Sequence, residues 1–102
     1  MTLDALFQTI EDRKSADPES SWTAQLMSKG PEKCAEKFGE EAIEAIIEAV
    51  KGDKSALTKE AADVLYHLLV MLSASGVTLT EVLDELKCRQ AQSGITEKAS
   101  RD

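Results

Sequence analysis

Glu40-Glu41-Ala42-Ile43-Glu44 and Glu60-Ala61-Ala62-Asp63 are the two places in this chain where residue type and spacing together could do chemistry. Carboxylates three residues apart leave a helix from the same side, so Glu41 with Glu44, and Glu60 with Asp63, each offer two oxygen donors toward one point. Two such pairs make a cage. Four converging carboxylates repel one another in a low-dielectric setting, and the simplest neutralising species is a hard divalent cation such as Mg2+ or Mn2+. That points to phosphate chemistry, with the ion shielding phosphate charge and lowering the pKa of a water while an anhydride bond breaks.

Phosphates also need protein cations. Lys29, Lys33 and Lys37 cluster around the amino end of a predicted long helix, where free backbone N–H groups and the helix dipole favour an anion. Arg13, Lys14 and Arg89 are second-rank candidates. For each of these cations an ordinary solvated role competes.

The competing reading of the carboxylates is a solvated helix face, with Lys33, Lys37 and Lys51 forming surface pairs worth roughly 0.3 kcal/mol each. It suits Glu36, Glu40 and Glu48 taken singly. It suits the cage less well, because Glu40 to Glu44 and Glu44 to Glu48 are like-charge pairs at four-residue spacing, and Asp63 interrupts an apolar run. Glu60, Asp63 and His67 share one stripe. As the only histidine, His67 excludes a multi-histidine zinc site, and by itself it fits a satisfied interior histidine. Cys34 and Cys88 have no metal-ligand spacing and are expected to be small packing residues. A glycine-rich phosphate loop, a GxSxG elbow and a cysteine–histidine arrangement are all missing, which leaves metal-activated water as the chemistry.

The elements that must position these groups are helices. Ala, Leu, Glu and Lys dominate while glycine and proline are few, so the expected class is all-α. Leu3, Leu6, Phe7 and Ile10 predict a first helix over about 3–14, and Asp17-Pro18 breaks it. Ser21 caps a short second helix carrying Trp22, Leu26 and Met27. Gly30-Pro31 stops that helix and opens the third, which runs to about Val50 with Phe38, Ala42, Ala45, Ile46 and Ala49 as its apolar face. After Lys51-Gly52-Asp53 a fourth helix, capped by Asp53 or Ser55, covers about 56–73. Thr78 with Glu81 forms a capping box for a fifth, Leu79 to about Gln90. The short joint makes the third and fourth helices antiparallel neighbours, which brings the two acidic motifs face to face. The fourth is apolar almost all round, so Asp63 is expected to be buried there. The expectation is a bundle of about five helices with two long antiparallel central ones, a single domain over 1–94 and a loose tail over 95–102.

With 102 residues and a net charge of -7, the chain has no basic stripe to meet nucleic acid or an anionic membrane. So small a domain gains most from sharing its apolar surface, so a homodimer is expected. The lack of an apolar leader segment or a spanning run predicts a soluble cytoplasmic protein.

Certain strings are more specific than the carboxylate spacing. Ser21-Trp22-Thr23-Ala24-Gln25-Leu26, Lys37-Phe38-Gly39-Glu40-Glu41-Ala42 and Ala62-Asp63-Val64-Leu65-Tyr66-His67-Leu68-Leu69-Val70 resemble the phosphoribosyl-ATP pyrophosphohydrolase family of histidine biosynthesis, over nearly the whole chain. The EExxE and ExxD elements resemble the wider MazG-like all-α nucleotide pyrophosphatases. Trp22 stands where that family pattern has tyrosine, and Cys34 where it has an aliphatic residue.

The resemblance implies a homodimeric bundle that uses magnesium to split the α–β phosphoanhydride of phosphoribosyl-ATP, giving phosphoribosyl-AMP and pyrophosphate. It also implies that Glu41, Glu44, Glu60 and Asp63 hold the metal, and that Lys29 and Lys37, with Lys33 beside them, meet the triphosphate. Glu40 is left as a further ligand, a base for the water, or a partner of Lys37, with Glu41 sharing the catalytic role. Arg13, the 21–23 segment and Arg89 are candidates for the rest of the substrate. Two rivals stay open at this stage: a broader (d)NTP pyrophosphatase of the MazG type, and a non-catalytic helical interaction module.

Overall fold

Gly30 and Gly52 punctuate this chain, because both adopt positive φ, at 93° and 78°, a region that side chains with a Cβ rarely occupy. Between them lies the longest uninterrupted acidic helix. The computed structural model of the chain describes residues 1–91, and among these it is all-α. The five helices are α1 (Leu3–Asp12), α2 (Trp22–Ser28), α3 (Pro31–Lys51), α4 (Lys54–Ala74) and α5 (Leu79–Gln90). The expected tail over 95–102 lies outside the described residues.

Local chemistry accounts for the boundaries. Thr2, Ser21, Asp53 and Thr78 each accept a hydrogen bond from a first-turn backbone N–H of α1, α2, α4 and α5. At α5 the predicted capping box is complete, with the Glu81 carboxylate accepting from the Thr78 N–H at 2.9 Å. Pro31 occupies the first turn of α3, where its missing N–H costs nothing. Gly52 ends α3 in the left-handed conformation and Asp53 at once caps α4, so only two residues join the long helices. Ser55, the alternative cap, lies inside α4. The first helix stops at Asp12, two residues short of expectation. There Lys14 and Ala16 donate to Glu11 and Arg13, three residues back, so the chain leaves the α-helix through tighter turns.

The antiparallel pair of α3 and α4 carries the broadest packing, with α1 against α4 and α2 laid over both. The core gathers where the start of α3 meets the end of α4. Ile10, Leu26, Cys34, Leu69, Val70 and Leu79 are buried there, with Phe7, Met27 and Leu83 against them. Cys34 is fully enclosed, and burial pushes its thiol pKa up, as expected of a packing residue. Between α4 and α5 the chain turns through 110°.

The apolar face assigned to α3 is a correction. Ile46 is 61% exposed and Ala49 is exposed, whereas Cys34 and Glu41 are the buried residues of this helix. Ile43, Ile46, Ile47 and Val50 lie on the opposite side, so α3 turns its acidic stripe toward α4 and its isoleucines outward. Hydrophobic spacing locates a stripe but does not say which surface covers it. Among the described residues, no single helix is long and apolar enough to cross a membrane.

Candidate active site

The inward turn of α3 builds an acidic cluster. Oxygens of Glu41, Glu60 and Asp63 lie within 4.8 Å of one another, bringing one carboxylate from α3 against two from α4. Glu44 stands beside the group on the next turn of α3, near enough to Glu60 to raise its pKa. Three of the four expected ligands therefore lie together, with Glu44 beside them. Glu41 is buried, Glu60 half-buried, and Glu44 and Asp63 exposed.

The exposure of Asp63 corrects an expectation. An all-round apolar helix need not be enclosed by its own chain, and Ala61, Ala62 and Leu65 beside Asp63 are exposed as well. Glu60 bears the strain of the cluster. Desolvation pushes its carboxyl pKa up, helped by the hydrogen bond with Glu44 and by the charges of Glu44, Glu41 and Asp63. Its Oε2 is buried without any hydrogen-bond partner. An orphaned carboxylate oxygen within a set of hard oxygen donors fits a divalent cation.

Lys37 sits at the edge of the cluster with its ammonium 3.4 Å from both Glu40 and Glu41. The Glu40 carboxylate, then that of Glu41, holds the Lys37 pKa above its ordinary value. Glu40 is exposed and faces this lysine, outside the cluster. The other expected cations are scattered. Lys33 pairs with Glu36 at 3.2 Å, Lys29 caps the end of α2, and Arg89 donates to Glu85 at 3.2 Å on α5. Arg13 lies just past α1, on the wall of a pocket between α1, α2 and α4.

His67 is buried on the Glu60–Asp63 stripe. Its Nδ1 donates to the Asp63 carbonyl at 2.8 Å. The ring Nε2 is buried and has no partner. The interior-histidine reading is thus met at one nitrogen only. Two polar features escaped the sequence reading. Glu48 has a buried Oε1, 3.5 Å from the Lys51 ammonium, although it was assigned to a solvated surface, and a single four-residue step from Glu44 gave no way to tell. The Tyr66 hydroxyl meets the Thr23 hydroxyl, and Ser73 donates to Glu11; these bonds join residues 43 and 62 positions apart, beyond any local pattern.

Comparison with known proteins bears on this geometry. Residues 3–90 match the family model described as phosphoribosyl-ATP pyrophosphohydrolase. Similar curated proteins, each called phosphoribosyl-ATP pyrophosphatase, come from Roseobacter denitrificans, 77% identical over 99% of this chain and 96% of the relative, and from Dinoroseobacter shibae, 74% identical over 91% of each. A third, from Ruegeria pomeroyi, is 72% identical over 94% of this chain and 91% of the relative.

Proposed function

This chain belongs to the phosphoribosyl-ATP pyrophosphohydrolase family, and from that premise we propose that its four-carboxylate cluster is the metal-holding active site. The protein is a hydrolase that converts phosphoribosyl-ATP to phosphoribosyl-AMP and pyrophosphate, a step of histidine biosynthesis. The family match decides against the non-catalytic module and favours this substrate over a broad (d)NTP panel.

The observation that carries the site is the orphaned Glu60 Oε2 beside Glu41, Glu44 and Asp63. These four residues would hold Mg2+, with Mn2+ an acceptable substitute for the same oxygen set. A cation bound there supplies charge screening for the anhydride and a lowered water pKa. The rest of the work falls to the chain. Glu60 and Asp63, one turn apart on α4, fix the side of the cluster opposite Glu41 and Glu44. Lys37 directs its ammonium at Glu41 and Glu40, which keeps a positive charge at the rim where the triphosphate arrives. Glu40, next to Glu41 and outside the cluster, is placed to take the proton of the attacking water beside the Lys37 ammonium. Lys29, just before α3, and Lys33, in its first turn, supply further positive charge.

A homodimer completes the reading. Ile43, Ile46, Ile47, Val50 and Leu65 are each 45% exposed or more in the single chain, an apolar surface beside the acidic seam that a second copy would cover. The location that suits these properties is the cytoplasm. The direct test is pyrophosphate release from phosphoribosyl-ATP against a dNTP panel, with and without Mg2+. Faster turnover of the dNTPs, or turnover indifferent to Mg2+, would overturn the assignment.

A further inference from the structure

The acidic cluster accounts for one end of the substrate, the triphosphate. Phosphoribosyl-ATP has a second anionic end, the 5-phosphate of the added ribose, and a separate pocket fits it. The pocket has a volume of about 410 Å³ and lies between α1, α2 and α4, where Thr9, Arg13, Thr23 and Tyr66 stand over an apolar floor that includes Leu6 and Ile10. Arg13 is exposed, and among the described residues no acidic side chain pairs with it.

Charge separates this pocket from the groove on α5. That groove also holds an arginine, Arg89, but Glu81 and Glu85 line it too, and Glu85 accepts from Arg89. Among the described residues no Asp or Glu lines the Arg13 pocket, although the chain as a whole carries a net charge of -7. An arginine kept apart from carboxylates suits a phosphomonoester dianion, which the planar guanidinium can grip with two N–H groups.

Hydroxyl chemistry points the same way. Thr23, 2% exposed, and Tyr66 share one hydrogen bond through their hydroxyls. Whichever of them donates, the other keeps an O–H hydrogen that no acceptor among the described residues takes up, and both residues line the pocket. Position links the pocket to the cluster. Tyr66 follows Asp63 by three residues on α4, about 4.5 Å along the helix axis, so one helix walls both sites.

We infer that the pocket between α1, α2 and α4 binds the ribose 5-phosphate arm of the substrate, with Arg13 on the phosphate and the Thr23–Tyr66 hydroxyl pair donating beside it. This rests on the proposed function and names the group that separates phosphoribosyl-ATP from ATP, which lacks that arm.

The test measures kcat/KM for phosphoribosyl-ATP and for ATP, with Mg2+, in wild type, Arg13→Met, Arg13→Lys and Tyr66→Phe, and measures ribose 5-phosphate as a competitor. Arg13→Met should lower kcat/KM for phosphoribosyl-ATP by about 30-fold, chiefly through KM, and leave ATP unchanged. Arg13→Lys should recover part of the loss, and Tyr66→Phe should cost about 5-fold for the same substrate alone. Ribose 5-phosphate should compete with substrate on wild type and lose that effect on Arg13→Met. The inference is overturned if Arg13→Met lowers both substrates alike, or neither, or if ribose 5-phosphate inhibits both proteins equally. Failure of the function assignment itself would show earlier, in wild type preferring dNTPs.

Discussion

The seam between α3 and α4 has two unlike ends. Where the start of α3 meets the end of α4, Cys34, Leu69 and Val70 are dry and enclosed, roofed by Ile10 from α1 and Leu26 from α2. At the other end Glu41 and Glu60 face each other, Glu60 leaves a buried oxygen without a hydrogen-bond partner, and Ile43, Ile46, Ile47 and Val50 look outward. The first end is closed by its own chain. The second carries an acidic cluster within and an apolar surface without, and among the described residues no helix covers that surface. One seam therefore joins two environments: a closed core anchors the helices whose far ends carry the proposed site.

The sharpest break of this contrast is at the cluster. Asp63→Asn or Glu44→Gln removes a charged ligand while keeping its shape, so turnover should fall by at least about 1,000-fold with the helical fold intact. Without metal these variants should melt at or above the wild-type temperature, since like-charge crowding is relieved. Circular dichroism beside the pyrophosphate assay checks both halves, and near-normal activity at saturating Mg2+ would remove the cluster from the mechanism.

The closed end should answer to volume instead. Leu69→Ala, at a site 2% exposed, should cost about 3 kcal/mol by transfer and cavity terms, read as a lowered midpoint in urea. Ile46→Ala, at 61% exposure, should leave a dilute single chain almost untouched and weaken the dimer. Light scattering on Ile46→Asp should find monomers with little activity. A fully active monomer of wild type would mean that the outward isoleucines cover nothing the site needs.

Acid and base should also act on the two ends with opposite sign. Glu11 of α1, which accepts a hydrogen bond from the buried Ser73 of α4, has its pKa held below the usual value of 4.5 by that bond first. Its contribution is therefore fully present above pH 4.5 and is lost as pH falls through the lower folded value. Glu60 is raised, by desolvation first. Metal-free protein should lose stability as pH climbs from 4.5 through the raised value, and Mg2+ should flatten that slope. Melting curves in EDTA for wild type, Glu11→Gln and Glu60→Gln isolate each limb. A falling limb that survives Glu60→Gln would place the strain elsewhere.

The sequence made the helices and the cluster legible because both depend on local spacing. Thr78 and Glu81 had to cap something, and Glu41, Glu44, Glu60 and Asp63 had to share sides of their helices. Which side faced inward was not local. Ile46 and Glu41 each sit on a regular stripe of α3, and only the way α2 and α4 close around Cys34 decides that the acidic stripe turns in. Asp63 was misjudged for the same reason, since an apolar helix was taken as one its own chain would cover. The Thr23–Tyr66 pair joins α2 to α4, and no periodicity within either helix signals it.

The smallest expected effect tests the rim of the open end. Lys37 and Lys51 both pair with glutamates of α3, Lys37 with Glu40 and Glu41 at 3.4 Å and Lys51 with Glu48 at 3.5 Å. Lys37 belongs to the cluster's edge, whereas Lys51 is the last residue of α3, beyond it. Its carboxylates raise the Lys37 pKa, so this pairing is complete below the ordinary lysine value and is lost only as pH rises through the raised one. The charge at the rim is then constant over the range in which the Glu11 and Glu60 limbs are read. Lys37→Met should lower kcat/KM by about 10-fold, and Lys51→Met, an exposed surface pair, by no more than about 2-fold. Equal losses in the two variants would mean that the triphosphate does not approach from the amino end of α3, and that the open end of the seam is entered from the side of Gly52.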